Sequence, residues 1–215
     1  MRCQAGRRSS GADDGFTLVE LLLAVVIMGV ITVPLGGVVV GYLRNTDETT
    51  GRLLESHDVQ IASAYWAQDV AGVGTRSTAS PFALTPSVET AVPYASSLYP
   101  CGTAGTTPIV TLAGDDASAP GTTTLVRVAY VVQTTAGQGE LHRLRCSGSA
   151  AVLSDVTVAH DLDPATPPTV ACSTPTACNA APNVPRTVNL TLTLKDPKNR
   201  GAAYAVVLTG QRRQS

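Results

Sequence analysis

The apolar positions along the chain fall into three regimes. Between residues 16 and 43 they are nearly continuous, and Glu20 is the one acidic or basic side chain among them. At a helical rise of about 1.5 Å per residue, roughly 28 residues span about 42 Å, more than a hydrocarbon core of about 30 Å. A membrane-spanning helix with one end extending past the bilayer is predicted. Between residues 44 and 73 the chain turns polar without a turn signal. Leu54, Ile61 and Tyr65 recur at helical spacing, with Leu53 and Trp66 beside them, up to Gly72 and Gly74. The same helix is therefore expected to continue, with one face docked on a sheet. His57 lies on this stripe and is read as a packing or surface histidine.

Past residue 123 the period changes to two. Thr124 to Gln133 is rich in Val and Tyr, a turn is expected at Gly137 to Gly139, and Glu140 to Cys146 completes a hairpin. Ala151 to Val158 forms a third candidate strand. Val188, Leu190, Leu192 and Leu194 then alternate with Thr187, Asn189, Thr191 and Thr193, as a half-buried strand does. Ala203 to Leu208 follows, after a turn carrying Pro197 and Gly201. The fold class is α+β, a long helix packed on an antiparallel β-sheet. Residues 75–123 are rich in Ser, Thr, Ala, Gly and Pro and are expected to form a long variable loop with little regular structure, pinned through Cys101.

Within the span, Pro34 removes a backbone donor and frees the carbonyl of Val30. Gly29, Gly36, Gly37 and Gly41 weaken the helix further, so a kink or a melted turn is expected there. Glu20 poses the larger question, because a carboxylate inside a membrane helix costs up to about 2.5 to 3.5 kcal/mol at mid-bilayer and calls for a partner. The run is too long for a cleaved secretory signal. Arg2, Arg7 and Arg8 precede it against Arg44 and Arg52 after it, which slightly favours a cytoplasmic N-terminus. Four of the five cysteines, Cys101, Cys146, Cys172 and Cys178, lie beyond the span, an even set suited to disulfides in an oxidising space outside the membrane.

Gly15, Phe16 and Glu20, at the junction of a polar leader and an apolar helix, resemble the type IV prepilins and pseudopilins, whose leader ends in Gly, whose mature chain starts with Phe and whose fifth mature residue is Glu. Asp13 and Asp14 stand where that family often has basic residues. The resemblance implies cleavage between Gly15 and Phe16 by a prepilin peptidase, N-methylation of Phe16, and attraction between Glu20 and the N-terminal ammonium of a neighbouring subunit. It implies as partners other pilin or pseudopilin subunits, the peptidase, an inner-membrane assembly platform and the membrane itself. Pairing two opposite charges in a low-dielectric bundle offsets much of the cost of burying either and leaves a misregistered subunit with an unpaired charge. The expected organisation is a leader at 1–15, a transmembrane and assembly helix at 16–43, its extracytoplasmic continuation at 44–73 and a β-rich domain at 74–215. The hairpin carrying Leu141, Arg143 and Arg145, the two C-terminal strands and the run Trp66-Ala67-Gln68-Asp69-Val70 followed by Arg76 are similar to the J-type minor pseudopilins of type II secretion and their competence or pilus counterparts.

Four cysteines allow three connectivities. The short spacing of Cys172 and Cys178 favours a small local loop, leaving Cys101 for Cys146. No C-x-x-C and no cysteine–histidine pair at ligand spacing suggests zinc, so no metal and no cofactor are expected. Neither a G-x-S-x-G elbow, a phosphate loop nor H-E-x-x-H is present, and His57, His142 and His160 are scattered, so no enzyme is expected. His160 with Asp161 and Asp163, just before Pro164, reads as a solvated turn rather than a calcium loop.

Charge excludes little more. Removing three of the 15 basic and two of the 16 acidic residues with the leader leaves a formal charge of −2, without the basic excess of a nucleic-acid binder. Arg143 with Arg145, or Arg212 with Arg213, could form a local DNA patch, and nucleic acid enters only as a lesser partner. An aromatic content of 4% makes for a small core that disulfides would assist. The expected function is thus a minor pilin or pseudopilin subunit of a pilus, competence pilus or type II secretion pseudopilus. It would be single-pass in the cell membrane and carried into a cell-surface filament on assembly. The alternatives are an ordinary signal anchor with Glu20 at headgroup level and a membrane-anchored extracytoplasmic binding module that never polymerises.

Overall fold

The computed structural model describes residues 17–119, 122–135, 137–173, 178, 184–195 and 202–213. One helix, α1 (Leu18–Ala71), is followed by ten strands. The strands are β1 (Thr75–Arg76), β2 (Leu84–Thr85), β3 (Val88–Thr90), β4 (Val110–Ala119), β5 (Thr122–Thr135), β6 (Gln138–Ser147), β7 (Val152–Leu162), β8 (Thr169–Ser173), β9 (Thr187–Leu194) and β10 (Tyr204–Gln211). The chain divides into two compact units, residues 1–49 and 50–215.

In the first unit, α1 is continuous through Pro34. Of the kink or melted turn expected at Pro34, the melted turn is absent. Proline removes a single rung of the ladder, so the helix runs on past it, and the Thr32 hydroxyl donates to the Met28 carbonyl at 2.7 Å, a back-bond of the kind that bends helices. Every described residue of this unit whose side chain is placed is exposed. Its best 18-residue window has a mean hydropathy of 2.6 and none of it is buried in the protein.

In the second unit, antiparallel strands form one eight-stranded sheet in the order β10-β9-β7-β6-β5-β4-β3, with β8 beside β9, and β1 and β2 form a small ladder of their own. Strand β9 pairs with β10 along its full length, from Leu194↔Tyr204 to Thr187↔Gln211. Its other edge is shared between β8 and a single pair with β7, Leu162↔Leu194. The β5–β6 hairpin closes on Thr135↔Gln138, where Gly137 takes a φ of +84° that a side chain would disfavour.

Ala62, Trp66 and Val70 follow one another at four-residue steps and are fully buried against the sheet, with Val59, Tyr65 and Val73 alongside. The stripe is thus displaced from the expected one. Leu53 is 66% exposed, Ile61 is half-buried, and the Leu54 side chain falls outside the described residues. Glycines on the sheet, Gly210 in β10 and Gly114 in β4, let it approach the helix closely. A Cβ on Gly210 would lie 2.5 Å from the Val70 Cβ, and one on Gly114 only 2.0 Å from the Gly72 carbonyl oxygen.

Residues 75–123 correct the loop expectation. They hold β1 to β4, and β4 pairs with β5 in register from Val110↔Tyr130 to Asp116↔Thr124. Composition is a poor guide there because the strand gains its hydrogen bonds from a neighbour later in the chain. From the same region Cys101 joins Ala129 and Val131 of β5 and Leu144 and Cys146 of β6 in a second, smaller core on the opposite sheet face. Strand β5 is therefore covered on both faces, and Val128, Ala129, Tyr130 and Val131 are all buried rather than alternating.

Candidate functional site

Gly15 and Phe16, the expected cleavage and methylation positions, lie outside the described residues. The described chain begins with Thr17, which caps α1. Its carbonyl accepts from the Glu20 and Leu21 amides, and its hydroxyl oxygen accepts from the Glu20 amide at 3.3 Å. Glu20 is accordingly the third residue of the helix, in the order Ser/Thr-x-x-Glu of a capping box. A carboxylate in this first turn is favoured by the helix dipole. That local role went unread in the sequence, although the spacing of Thr17 and Glu20 was there to show it. The Glu20 side chain is exposed and meets no cation among the described residues. The arrangement can offer a negative charge at the start of an apolar helix to a positive group from outside the chain.

The second constellation joins α1 to the sheet within residues 50–215. Arg143 on β6 clasps Asp69 on α1 in a forked pair, with Nε donating to Oδ2 and Nη2 to Oδ1, both at 2.6 Å. The Tyr130 hydroxyl on β5 donates to the same Oδ2 at 2.7 Å. The side chains of Arg143 and Asp69 are only 8% and 4% exposed. Arg143 also lies over the Tyr65 ring at 4.8 Å, and the Trp66 and Tyr130 rings meet edge to face at 5.2 Å. The Trp66 indole donates to the Val188 carbonyl at 3.0 Å. Burial raises Tyr130 far above its usual range, and the Asp69 charge and hydrogen bond push it further. Burial by itself would lower Arg143, but the hydrogen bonds and charge of Asp69 win and raise it.

A further tie holds a bulge of β7. Leu141 pairs with Ala159 and Gly139 with Leu162, so two residues of β7 oppose Glu140, and Asp161 takes a φ of 55°. Asp58 on α1 accepts both the His160 amide and its Nδ1 at 2.9 Å. Asp163 accepts from the Ala165 amide and the Thr166 hydroxyl in a turn, but the solvated cluster expected there is corrected, since His160 and Asp161 belong to β7 and Asp163 is buried. His142 is hydrogen-bonded to Asp155 and Glu140, and His57 is exposed. Among the described residues no group of three or more His, Cys, Asp and Glu side chains is arranged to hold a metal.

Cys101 is bonded to Cys146, with Cα atoms 5.7 Å apart, and Cys172 to Cys178, at 5.1 Å. The first bridge fastens the 97–106 segment over the second core. The structure corrects the DNA-patch reading of Arg143 with Arg145, since Arg143 is buried and neutralised by Asp69. Sequence reasoning missed Asp69, Tyr130 and Asp58 as partners because each lies more than 60 residues from the group it binds.

Residues 12–36 match the prokaryotic N-terminal methylation motif, a match that points to type IV pilin or pseudopilin-like function and to association with other pilin subunits and a prepilin peptidase in general. No curated protein matches the chain.

Proposed function

We propose that the chain is a minor pilin or pseudopilin subunit, cut between Gly15 and Phe16, methylated at Phe16 and assembled through Glu20 into a type IV pilus, competence pilus or type II secretion pseudopilus. The observation that carries this reading is the exposed Glu20 carboxylate, without a cationic partner among the described residues, at the head of a bare apolar helix inside the matched motif. A lone carboxylate entering hydrocarbon is stabilised by a fixed cation, and the α-ammonium freed at Phe16 is one of matching charge, supplied by a neighbour. The span from 16 to 43 anchors the subunit with its β-domain outside the cytoplasm, and two disulfides suit that space. The role is structural and needs no catalysis or cofactor. Among minor subunits the J-type is favoured by the helical run from Trp66 to Val70 and the hairpin bearing Arg143 and Arg145.

Two variants separate the local and the intersubunit role of Glu20. Glu20→Gln keeps a residue able to serve the capping box but removes the charge, whereas Thr17→Val removes the cap and keeps the charge. Glu20→Gln should abolish recovery of the subunit in sheared filaments while membrane levels hold, and Thr17→Val should lower it only mildly, the loss of a cap costing about 1 kcal/mol. Mass spectrometry of the membrane form should show N-methyl-Phe16 at the start of the chain. An uncut N-terminus in cells that possess the peptidase would favour the anchored binding module.

A further inference from the structure

Three arginines converge where β9 begins, β10 ends and α1 stops. The β9–β10 pairing continues one step past Gln211↔Thr187, with the Arg212 amide donating to the Arg186 carbonyl at 2.8 Å. Arg212 therefore stands directly opposite Arg186, on the same face of the sheet. The Arg213 amide donates to the Ala71 carbonyl at 3.2 Å, which ties the third arginine to the last turn of α1. Arg186 and Arg213 are exposed, while Arg212 is half-buried, its Cδ 3.9 Å from where a Cβ on Gly74 would lie. The Arg212 Nε is buried without a hydrogen-bond partner, and none of the three side chains has an ion pair among the described residues. Like charges directly opposite on neighbouring strands destabilise a sheet. The carbonyl end of α1 offers only about half a negative charge against three positive ones. The surplus calls for an anion from outside the chain.

We infer that Arg186, Arg212 and Arg213 bind the phosphate backbone of duplex nucleic acid without reading its bases. Burial takes Arg143 out of one of the two arginine pairs noted in the sequence, whereas Arg186 joins the other, Arg212 with Arg213. A duplex carries a charge about every 1.7 Å of its axis, so neighbouring arginines each release a counterion from it, a gain that one small anion on an open surface lacks. Planar guanidinium forks suit phosphate oxygens. Residues 184–189 and 208–213 contain no aromatic side chain, so they offer no platform on which single-stranded bases would stack. Neither segment exposes an apolar side chain, the wedge that holds a peripheral protein on lipid. The patch needs no neighbouring subunit, so it stands independently of the filament reading.

The test is the salt dependence of binding, read by fluorescence anisotropy of a short labelled DNA duplex titrated with the purified full chain in non-ionic detergent. Each phosphate contact contributes about −0.9 to the slope of log K against log salt. Arg186→Gln should therefore flatten the slope by about 0.9, and Arg186→Gln with Arg213→Gln by about 1.8. Between about 50 and 200 mM salt, the loss of affinity then shrinks about 3.5-fold with each arginine removed. Arg186→Lys should keep the parent slope, since lysine retains the charge, and duplexes of unrelated sequence should bind alike. Both altered positions are exposed, and unchanged emission of the buried Trp66 verifies that the variants fold. An unchanged slope in the double variant would overturn the inference. So would displacement of the duplex by inorganic phosphate beyond that by chloride at equal ionic strength, which marks a site for one small anion. Capture by phosphatidylglycerol vesicles without binding of the duplex marks a lipid surface and would overturn it as well.

Discussion

Replacing Asp69 by Asn is the sharpest probe of what holds α1 to the sheet within residues 50–215. The change is nearly isosteric, so it removes a charge and leaves the packing. It strands the Arg143 guanidinium, 8% exposed, with no anion in place of a carboxylate that took two bonds at 2.6 Å, and it weakens the acceptor of Tyr130. Breaking one partner of a buried pair costs about 3 to 5 kcal/mol. Against a domain stability of about 5 to 15 kcal/mol this is a large share, and at about 2 to 4 °C per kcal/mol it lowers Tm by about 6 to 20 °C. Trp66 is the single tryptophan and sits fully buried 5.2 Å from Tyr130, so its fluorescence reports this unit during urea unfolding of the full chain in detergent. The double variant Asp69→Leu with Arg143→Met leaves no stranded charge and should lose less than Asp69→Asn. A loss below about 1 kcal/mol for Asp69→Asn, or a double variant as unstable as the summed single changes, would refute the clamp argument.

Tyr130 gives a dependence on pH. Its folded pKa is raised above the ordinary 10.0, so above pH 10 the unfolded chain releases a proton that the folded chain keeps, and stability falls with rising pH. Tyr130→Phe should remove a slope of about 1.4 kcal/mol per pH unit in that range while costing about 1.5 to 3 kcal/mol near neutrality, read from urea midpoints at several pH values. The two disulfides differ in loop length, 45 against 6 residues in separation, so on the chain-entropy account replacing Cys101 and Cys146 by Ser costs about 4 kcal/mol, against about 2.4 for Cys172 and Cys178. Equal losses by denaturant titration would count against that account. Gly114→Ala drives a Cβ into the Gly72 carbonyl, which is backbone and cannot swing aside, and should destabilise by about 3 kcal/mol in the same assay.

Much of the architecture was legible from local pattern. The alternation of Val188 to Leu194 reappears as alternating burial along β9, and the Val- and Tyr-rich run and its glycine turn became β5, Gly137 and β6. The paired β4 was not legible, since Ala113, Gly114, Asp115 and Asp116 carry little strand preference and are held by partners on β5. The helical stripe was placed slightly wrong for a related reason. The core face runs through Ala62, Trp66 and Val70, and the glycines that let the sheet approach it, Gly114 and Gly210, lie far along the chain.

The sequence by itself determined that a helix of membrane-grade apolarity opens the chain, that one carboxylate stands at its head, and that strands follow in a largely antiparallel order. These properties depend on residues within a few positions of each other, so periodicity and spacing expose them. The tertiary structure alone decided that Asp69 meets Arg143 and Tyr130, that Asp58 holds the β7 bulge, and that Cys101 closes over a second core. Each of these joins groups distant along the chain. Whether a buried charge finds its partner is fixed by how the sheet is ordered and where the helix lies on it, and no local pattern carries that information.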